Sequence, residues 1–234
     1  MSYPVIVTRT QPGADETADR LRALGYRAIV SPMLHIVETG LDPHVLEGIR
    51  DIVFTSANGV RAFRSAGVGA GEMTAWCVGP STAETARAAG FGEVVEGDGD
   101  AADLARLILG SHDRLSGPVL HIANNAAAGN LVNALRIGGL NARFAAPYHT
   151  EAAPSLSAEA LDALAAGPAA ILIHSAKAAD ALAHAKAPLE TAMIVAISPA
   201  AAAPLEGLPS GAVHVAERPN EDALMTALAA AAPA

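Results

Sequence analysis

Short apolar runs rich in Val and Ile alternate with amphipathic segments along the whole chain. Most of these runs have no polar face, as expected of parallel strands that are covered by helices on both sides. The predicted strands are residues 4–8, 27–31, 51–55, 74–78, 93–96, 118–122, 141–146, 169–174, 192–197 and 212–216. The segments between them repeat apolar residues at helical spacing, for example at Ala14, Ala18 and Leu21 before Gly25. This alternation predicts an α/β fold with doubly wound parallel sheets.

Part of the first half of the chain is repeated in the second half. Residues 51–58 reappear as residues 170–177, at a constant offset of 119 residues. The same offset relates residues 77–82 to residues 196–201. A repeat that keeps one offset from residue 51 to residue 82 predicts two similar, flavodoxin-like lobes with a cleft between them.

The two copies are interleaved along the chain. A segment that opens at Val5 matches one that opens at Val119, in the middle of the sequence. The interleaving predicts a discontinuous first lobe, a continuous second lobe and two crossings between them. The first lobe is residues 1–31 plus 154–234, the second lobe is residues 40–146, and the crossings are residues 32–39 and 147–153. Both crossings contain Pro and β-forming residues, so we expect a two-stranded antiparallel linker that acts as a hinge.

Composition narrows the class of protein. The net charge of −9 leaves no surplus of Lys and Arg for binding nucleic acid. The single Cys77 excludes an internal disulfide framework and fits a reducing compartment. No apolar run approaches the roughly 18 residues of a membrane span, and no secretory leader is expected. We therefore expect a cytoplasmic protein that does not bind a membrane.

Hydroxyl, amide and glycine residues follow the predicted strands, at the edge where parallel sheets bind ligands. Backbone N–H groups at the helix starts beyond them suit an anion. The candidate binding residues are Arg9, Thr55, Ser56, Asn58, Gly79, Ser81, Thr82, Ser175, Lys177 and Ser198. The alternative is that the four serines only cap helices. Six junctions of this kind on two lobes favour a site for an anionic substrate.

Two further features have competing explanations. Asp98, Asp100 and Asp103 could suggest a metal site, but a helix cap before Leu104 explains them better. Tyr148 is one of three tyrosines and lies in the return crossing. It either packs across the linker or faces the cleft, where its phenol would donate a proton to a leaving oxygen.

Several blocks of the sequence together form a family pattern. They are Val7-Thr8-Arg9, Pro32-Met33-Leu34, residues 51–60, residues 78–83, Pro147-Tyr148-His149-Thr150, the block around Ser175, Pro199 and residues 219–224. Over essentially its whole length the chain resembles uroporphyrinogen-III synthase. It departs from that pattern at Ser198 and Ala201, where Gly and Thr are usual, and at residues 121–125, which lack the usual Gly and Arg.

The resemblance implies a lyase that cyclises hydroxymethylbilane to uroporphyrinogen III, with loss of water and inversion of ring D. The product feeds tetrapyrrole biosynthesis, which leads to heme, siroheme, cobalamin and chlorophyll. No cofactor and no metal are implied. Tyr148 matches the family tyrosine proposed to assist departure of the hydroxyl, and Ser56, Thr82 and Ser175 match hydroxyls of the cleft. To these we add Arg9, Asn58 and Lys177 as contacts to substrate carboxylates.

We expect the protein to be a monomer that contacts neighbouring enzymes of its pathway only transiently. The alternative function is a non-catalytic two-lobed protein that closes on a small anion.

Overall fold

The computed structural model of the protein describes residues 2–127 and 130–232. The ends of the predicted first lobe, residue 1 and residues 233–234, lie outside these ranges. The described strands are β1 Pro4–Val7, β2 Arg27–Val30, β3 Leu34–Glu38, β4 Asp51–Phe54, β5 Thr74–Cys77, β6 Glu93–Glu96, β7 Val119–Asn124, β8 Ala142–Ala152, β9 Ala170–Ile173, β10 Met193–Ala196 and β11 Val213–Val215. The described α-helices are α1 Gly13–Ala23, α2 Ala57–Ser65, α3 Pro80–Ala88, α4 Ala101–Gly110, α5 Asn130–Ile137, α6 Ala158–Ala166, α7 Ala176–His184, α8 Pro199–Ala202 and α9 Glu221–Ala231. The predicted α/β fold with parallel sheets is confirmed.

The first compact unit comprises Met1–Ile36 and Thr150–Ala234. Its sheet has the order β11-β10-β9-β1-β2, and every pair is parallel. Successive side chains of a strand point to opposite faces, so each face has its own apolar cluster. Ile171 and Ile173 pack with α6, α7 and α8 on one face. Ala170 and Leu172 pack with α1 and α9 on the other, so the sheet is covered on both sides.

The second unit comprises Val37–His149. Five of its strands lie in the order β8-β7-β4-β5-β6, again all parallel. Ile52 and Phe54 pack with α2 and α3 on one face. Val53 and Trp76 pack with α4 and α5 on the other. This sheet therefore has the same layered construction as the first.

The edge of the second sheet carries the additional strand β3, which pairs with β8. The Thr39 N–H donates to the Pro147 carbonyl (2.8 Å) and the Ala153 N–H donates to the Met33 carbonyl (3.0 Å). Because the numbering rises along one strand as it falls along the other, this pair is antiparallel and the sheet is mixed. The strand predicted over residues 141–146 is part of β8, which continues without a break to Ala152.

The repeat seen in the sequence recurs in the register of the strands. Asp51 lies opposite Thr74 where β4 and β5 begin, and Ala170 lies opposite Met193 where β9 and β10 begin. Both pairs are related by the offset of 119 residues. The strand orders of the two parallel sheets also correspond, element by element.

Helix boundaries follow local chemistry that the sequence makes visible. The Asp100 carboxylate accepts hydrogen bonds from the N–H groups of Ala102 and Asp103 at the start of α4, which confirms the predicted cap. Gly25 follows α1 with a φ of 91°, a conformation that Gly adopts at low cost. Among the described residues, no helix is both long and apolar enough to cross a membrane.

Candidate active site

A bulge in β8 decides which way Tyr148 points. Ile122 of β7 pairs with Ala145, and the next pair along the ladder is Asn124 with Tyr148. From one pair to the next β7 advances by two residues and β8 by three, so β8 contains one extra residue. Cross-strand neighbours share a face of the sheet, and Tyr148 therefore lies on the face of Ile122 and Ala145. A regular strand would have placed it on the opposite face.

The Tyr148 phenol is buried, with 4% of the residue exposed. Burial is the main effect on its pKa and raises it above the ordinary value. Hydrogen bonds to the Ser56 side chain and to the Asn124 backbone act in the opposite direction, because they stabilise the phenolate. The side chain is therefore a neutral phenol at neutral pH. Ser56 and Asn124 would stabilise the phenolate that forms if the proton is donated.

Ser56 and Asn58 connect this phenol to the start of α2. The Ser56 Oγ accepts a hydrogen bond from the Asn58 N–H (3.2 Å) and so caps the helix. Its own proton is free to donate to the phenol oxygen. The Asn58 Oδ1 accepts from Arg61 Nη1 (2.9 Å). Sequence reasoning missed Arg61, although a residue three positions after Asn58 lies on the same helix face.

Thr55, the residue after β4, contacts a buried histidine. Its Oγ1 lies 3.1 Å from Nε2 of His121 on β7. The His121 ring meets the Phe144 ring edge-on, with centroids 5.5 Å apart. Burial lowers the pKa of His121 to about 4, so the ring is neutral at neutral pH. In the sequence, His121 is distinguished only as part of residues 121–125, which depart from the family pattern.

Arg9 lies in a hydrogen-bonded network of the first unit. Its Nη1 is 3.5 Å from the Glu221 Oε2 and donates to the Thr17 Oγ1 (3.3 Å). Glu221 also accepts a hydrogen bond from Thr17 (2.7 Å) and lies 3.1 Å from His174 Nε2. Burial would raise the pKa of Glu221, but the hydrogen bonds and charges of its partners outweigh burial, and the pKa falls to about 2. Arg9 is thus held by a carboxylate of its own chain.

The family model of uroporphyrinogen-III synthase HemD matches residues 15–226. The chain belongs to the uroporphyrinogen-III synthase family. It is therefore an enzyme of the lyase class, a cyclase of hydroxymethylbilane, as the sequence predicted. This membership does not favour the non-catalytic alternative. No curated protein sequence matches the chain.

Solved structures of synthases share the fold. The uroporphyrinogen-III synthetase of Helicobacter pylori is 18% identical, with a TM-score of 0.67 over 98% of this chain and 99% of the other. A mutant uroporphyrinogen III synthase of Thermus thermophilus is also 18% identical, with a TM-score of 0.51 over 98% and 97% of the two chains. At this identity the likeness concerns the fold and not individual side chains.

Helix capping was the alternative explanation for the four candidate serines, and three of them do cap helices. Besides Ser56, the Ser175 Oγ accepts from the Ala178 N–H and the Ser198 Oγ from the Ala201 N–H, both at 3.2 Å. Capping uses the oxygen lone pairs and leaves the hydroxyl protons of Ser175 and Ser198 available, while the Ser56 proton points to the Tyr148 phenol. A capping role and a binding role are therefore compatible at these serines.

The remaining candidates lie at the same edges of their own sheets. Gly79 caps α3 through its backbone, and Ser81 is exposed in the first turn of that helix. Thr82 is buried there, with 5% exposed. Lys177 is exposed in the first turn of α7. In each unit the candidates therefore gather at the carboxyl ends of the parallel strands, and Thr55, Ser56, Asn58 and Tyr148 lie together in the second unit.

Proposed function

We propose that Tyr148 is the proton donor of this synthase. The observation that carries the proposal is a buried phenol whose pKa is raised and whose oxygen has hydrogen-bond partners in Ser56 and Asn124. A general acid must hold its proton at neutral pH and must tolerate the charge left after it donates. Burial supplies the first property, and the two hydrogen bonds supply the second.

In the proposed reaction the phenol proton passes to the terminal hydroxyl of hydroxymethylbilane. The C–O bond breaks, water leaves, and an azafulvene cation remains. This cation attacks the substituted carbon of ring D, and the spiro intermediate rearranges with ring D inverted. The proton released when the pyrrole regains aromaticity restores the phenol. The overall change is loss of one water and closure of the macrocycle.

Carboxylate binding is proposed for the other site residues. Hydroxymethylbilane has eight carboxylates, which suit hydroxyls and backbone N–H groups at helix starts. The proposed contacts are Thr55, Ser56, Asn58, Gly79, Ser81 and Thr82 in the second unit, and Arg9, Ser175, Lys177 and Ser198 in the first. Arg61 joins this set because Asn58 orients its guanidinium, and a guanidinium can bind a carboxylate with two hydrogen bonds.

The finer architecture also belongs to the proposal. It consists of a first lobe of residues 1–31 plus 154–234, a second lobe of residues 40–146, and a hinged linker of residues 32–39 and 147–153. The lobes would be flavodoxin-like, with the substrate in a cleft between them. We further propose a cytoplasmic monomer that contacts neighbouring pathway enzymes only transiently.

The decisive experiment is isomer analysis. Incubation with freshly generated hydroxymethylbilane, followed by oxidation, should yield mainly the type III porphyrin, because only enzymatic closure inverts ring D. Uncatalysed closure gives the type I isomer and serves as the control without enzyme. Type I alone at high protein concentration would refute the synthase activity and favour the non-catalytic two-lobed binding protein.

A further inference from the structure

His121 is a buried polar side chain that the proposed reaction does not use. Only 2% of the residue is exposed, and its Nδ1 has no hydrogen-bond partner within the part of the chain that the structure describes. Its other ring nitrogen, Nε2, faces the Thr55 hydroxyl at 3.1 Å. A buried N–H without a partner is costlier than a bare ring nitrogen, so the single proton of the neutral ring belongs on Nε2.

The fold does not require a histidine at this position. The first unit has Val7 at the equivalent point of its sheet, opposite Leu172, as His121 lies opposite Val53. Val7 is fully buried, and its side chain has no polar atom. An apolar side chain therefore meets the packing demand, and His121 carries an unsatisfied nitrogen in addition. Its hydrogen bond to Thr55 is the property that an apolar residue would lack.

With the proton on Nε2, His121 donates to Thr55 Oγ1. A hydroxyl that accepts a hydrogen bond from one side directs its own proton elsewhere. Thr55 is partly exposed at the carboxyl end of β4, next to Ser56. Its hydroxyl is therefore set as a donor at the edge of the sheet where an anionic ligand is expected.

We infer that His121 is a positioning residue that fixes the Thr55 hydroxyl as a hydrogen-bond donor to one carboxylate of hydroxymethylbilane. The inference rests on the proposed function, because it assigns Thr55 to substrate binding. His121 itself does not touch the substrate. Its effect is on binding of the substrate and not on the departure of water, which depends on Tyr148.

A double-mutant cycle tests this coupling in the full chain. Thr55→Val should raise KM for hydroxymethylbilane about tenfold, the effect of one hydrogen bond to a charged group, and should leave kcat unchanged. His121→Phe should raise KM about threefold to tenfold, because the Thr55 hydroxyl is then free to turn away. In the double variant KM should not exceed that of Thr55→Val, since both changes remove one interaction. Affinity for uroporphyrin III, the stable oxidised form of the product, should change in parallel.

A packing role and a positioning role for His121 predict different values of KM in the variants. Phe144→Leu removes the ring contact but keeps the hydrogen bond, so it should leave KM unchanged. His121→Phe should not lower the melting temperature, because it removes an unsatisfied buried nitrogen. An unchanged KM for His121→Phe, or additive effects in the double variant, would overturn the inference. So would equal rises in KM for His121→Phe and Phe144→Leu. Failure of the proposed function would look different, since the unaltered protein would then form no type III isomer.

Discussion

At the scale of single residues, burial sets the protonation of Tyr148 and His121 in the second unit, whereas hydrogen-bond and charged partners set that of Glu221 in the first. Burial raises the pKa of Tyr148 and lowers that of His121, because it disfavours the charged form of each. Glu221 is partly buried too, yet its pKa falls to about 2 because His174, Thr17 and Arg9 surround the carboxylate. The second unit thus presents neutral donors, whereas the first presents an ion network. This difference agrees with a proton donor in the second unit.

A prediction at this scale concerns the phenol of Tyr148. Tyr148→Phe should lower kcat by roughly tenfold to a hundredfold or more, the scale of one positioned acid, because only the donated proton is lost. The matched control is Tyr26→Phe, which removes a buried hydroxyl that donates to the Ala232 carbonyl at 2.9 Å. The control should keep full kcat and lose about 1 kcal/mol of stability. Steady-state kinetics and thermal unfolding of both variants provide the measurement, and equal kcat for the two would reduce Tyr148 to a packing residue.

At the scale of elements, the position of α2 depends on a single glycine. A Cβ on Gly59 would lie 2.7 Å from the Ile122 carbonyl oxygen of β7, well inside contact distance. The helix therefore packs directly on the strand backbone. This close approach sets Ser56, at the start of α2, beside the Asn124 end of β7 and Tyr148. The bulge in β8 then turns the phenol to the same face.

Two glycine substitutions should have opposite effects on stability. Gly59→Ala should lower the free energy of unfolding by about 1 to 3 kcal/mol, because the helix must move away from β7. Gly110→Ala, at the exposed end of α4 where a Cβ meets no atom within 4 Å, should raise it by about 0.5 to 1 kcal/mol. Urea unfolding measures both changes. A neutral Gly59→Ala would contradict the tight contact between α2 and β7.

At the scale of the whole molecule, the apolar clusters respect the division into two units. Both clusters of the first unit draw only on its two chain segments. Both clusters of the second unit draw only on Val37–His149. The second unit thus contains a complete hydrophobic core in one continuous stretch of sequence.

The separate cores lead to a prediction about folding. A fragment of residues 37–149 should fold alone, because it keeps five parallel strands and both of their apolar clusters. Trp76 reports on this directly, since it is the single tryptophan and is 1% exposed. The fragment should show blue-shifted Trp76 emission and one cooperative urea transition. The fragment of residues 1–36 holds only part of the first core and should remain unfolded. Trp76 emission at the wavelength of an unfolded chain would contradict independent folding.

The sequence by itself determined the alternation of strands and helices, the repeat and the residues at the strand ends. These depend on local periodicity, on Gly and Pro at helix ends, and on a repeat whose register the strands retain. It also predicted the family and singled out Tyr148 and Ser56. The continuity of β8 escaped it, because a strand that contains Pro147 has a weak local signal.

The tertiary structure alone decided which face Tyr148 occupies, because one extra residue in β8 reverses the alternation of side chains and no local pattern marks it. It also decided the partners of His121 and Arg9. His121 meets Thr55 across 66 residues of sequence, and Arg9 meets Glu221 from the far end of the chain. Such contacts depend on strand order, which brings the carboxyl ends of β4 and β7 together as neighbours. The pKa of each group follows from burial and from these partners, so it could be known only once the sheets were assembled.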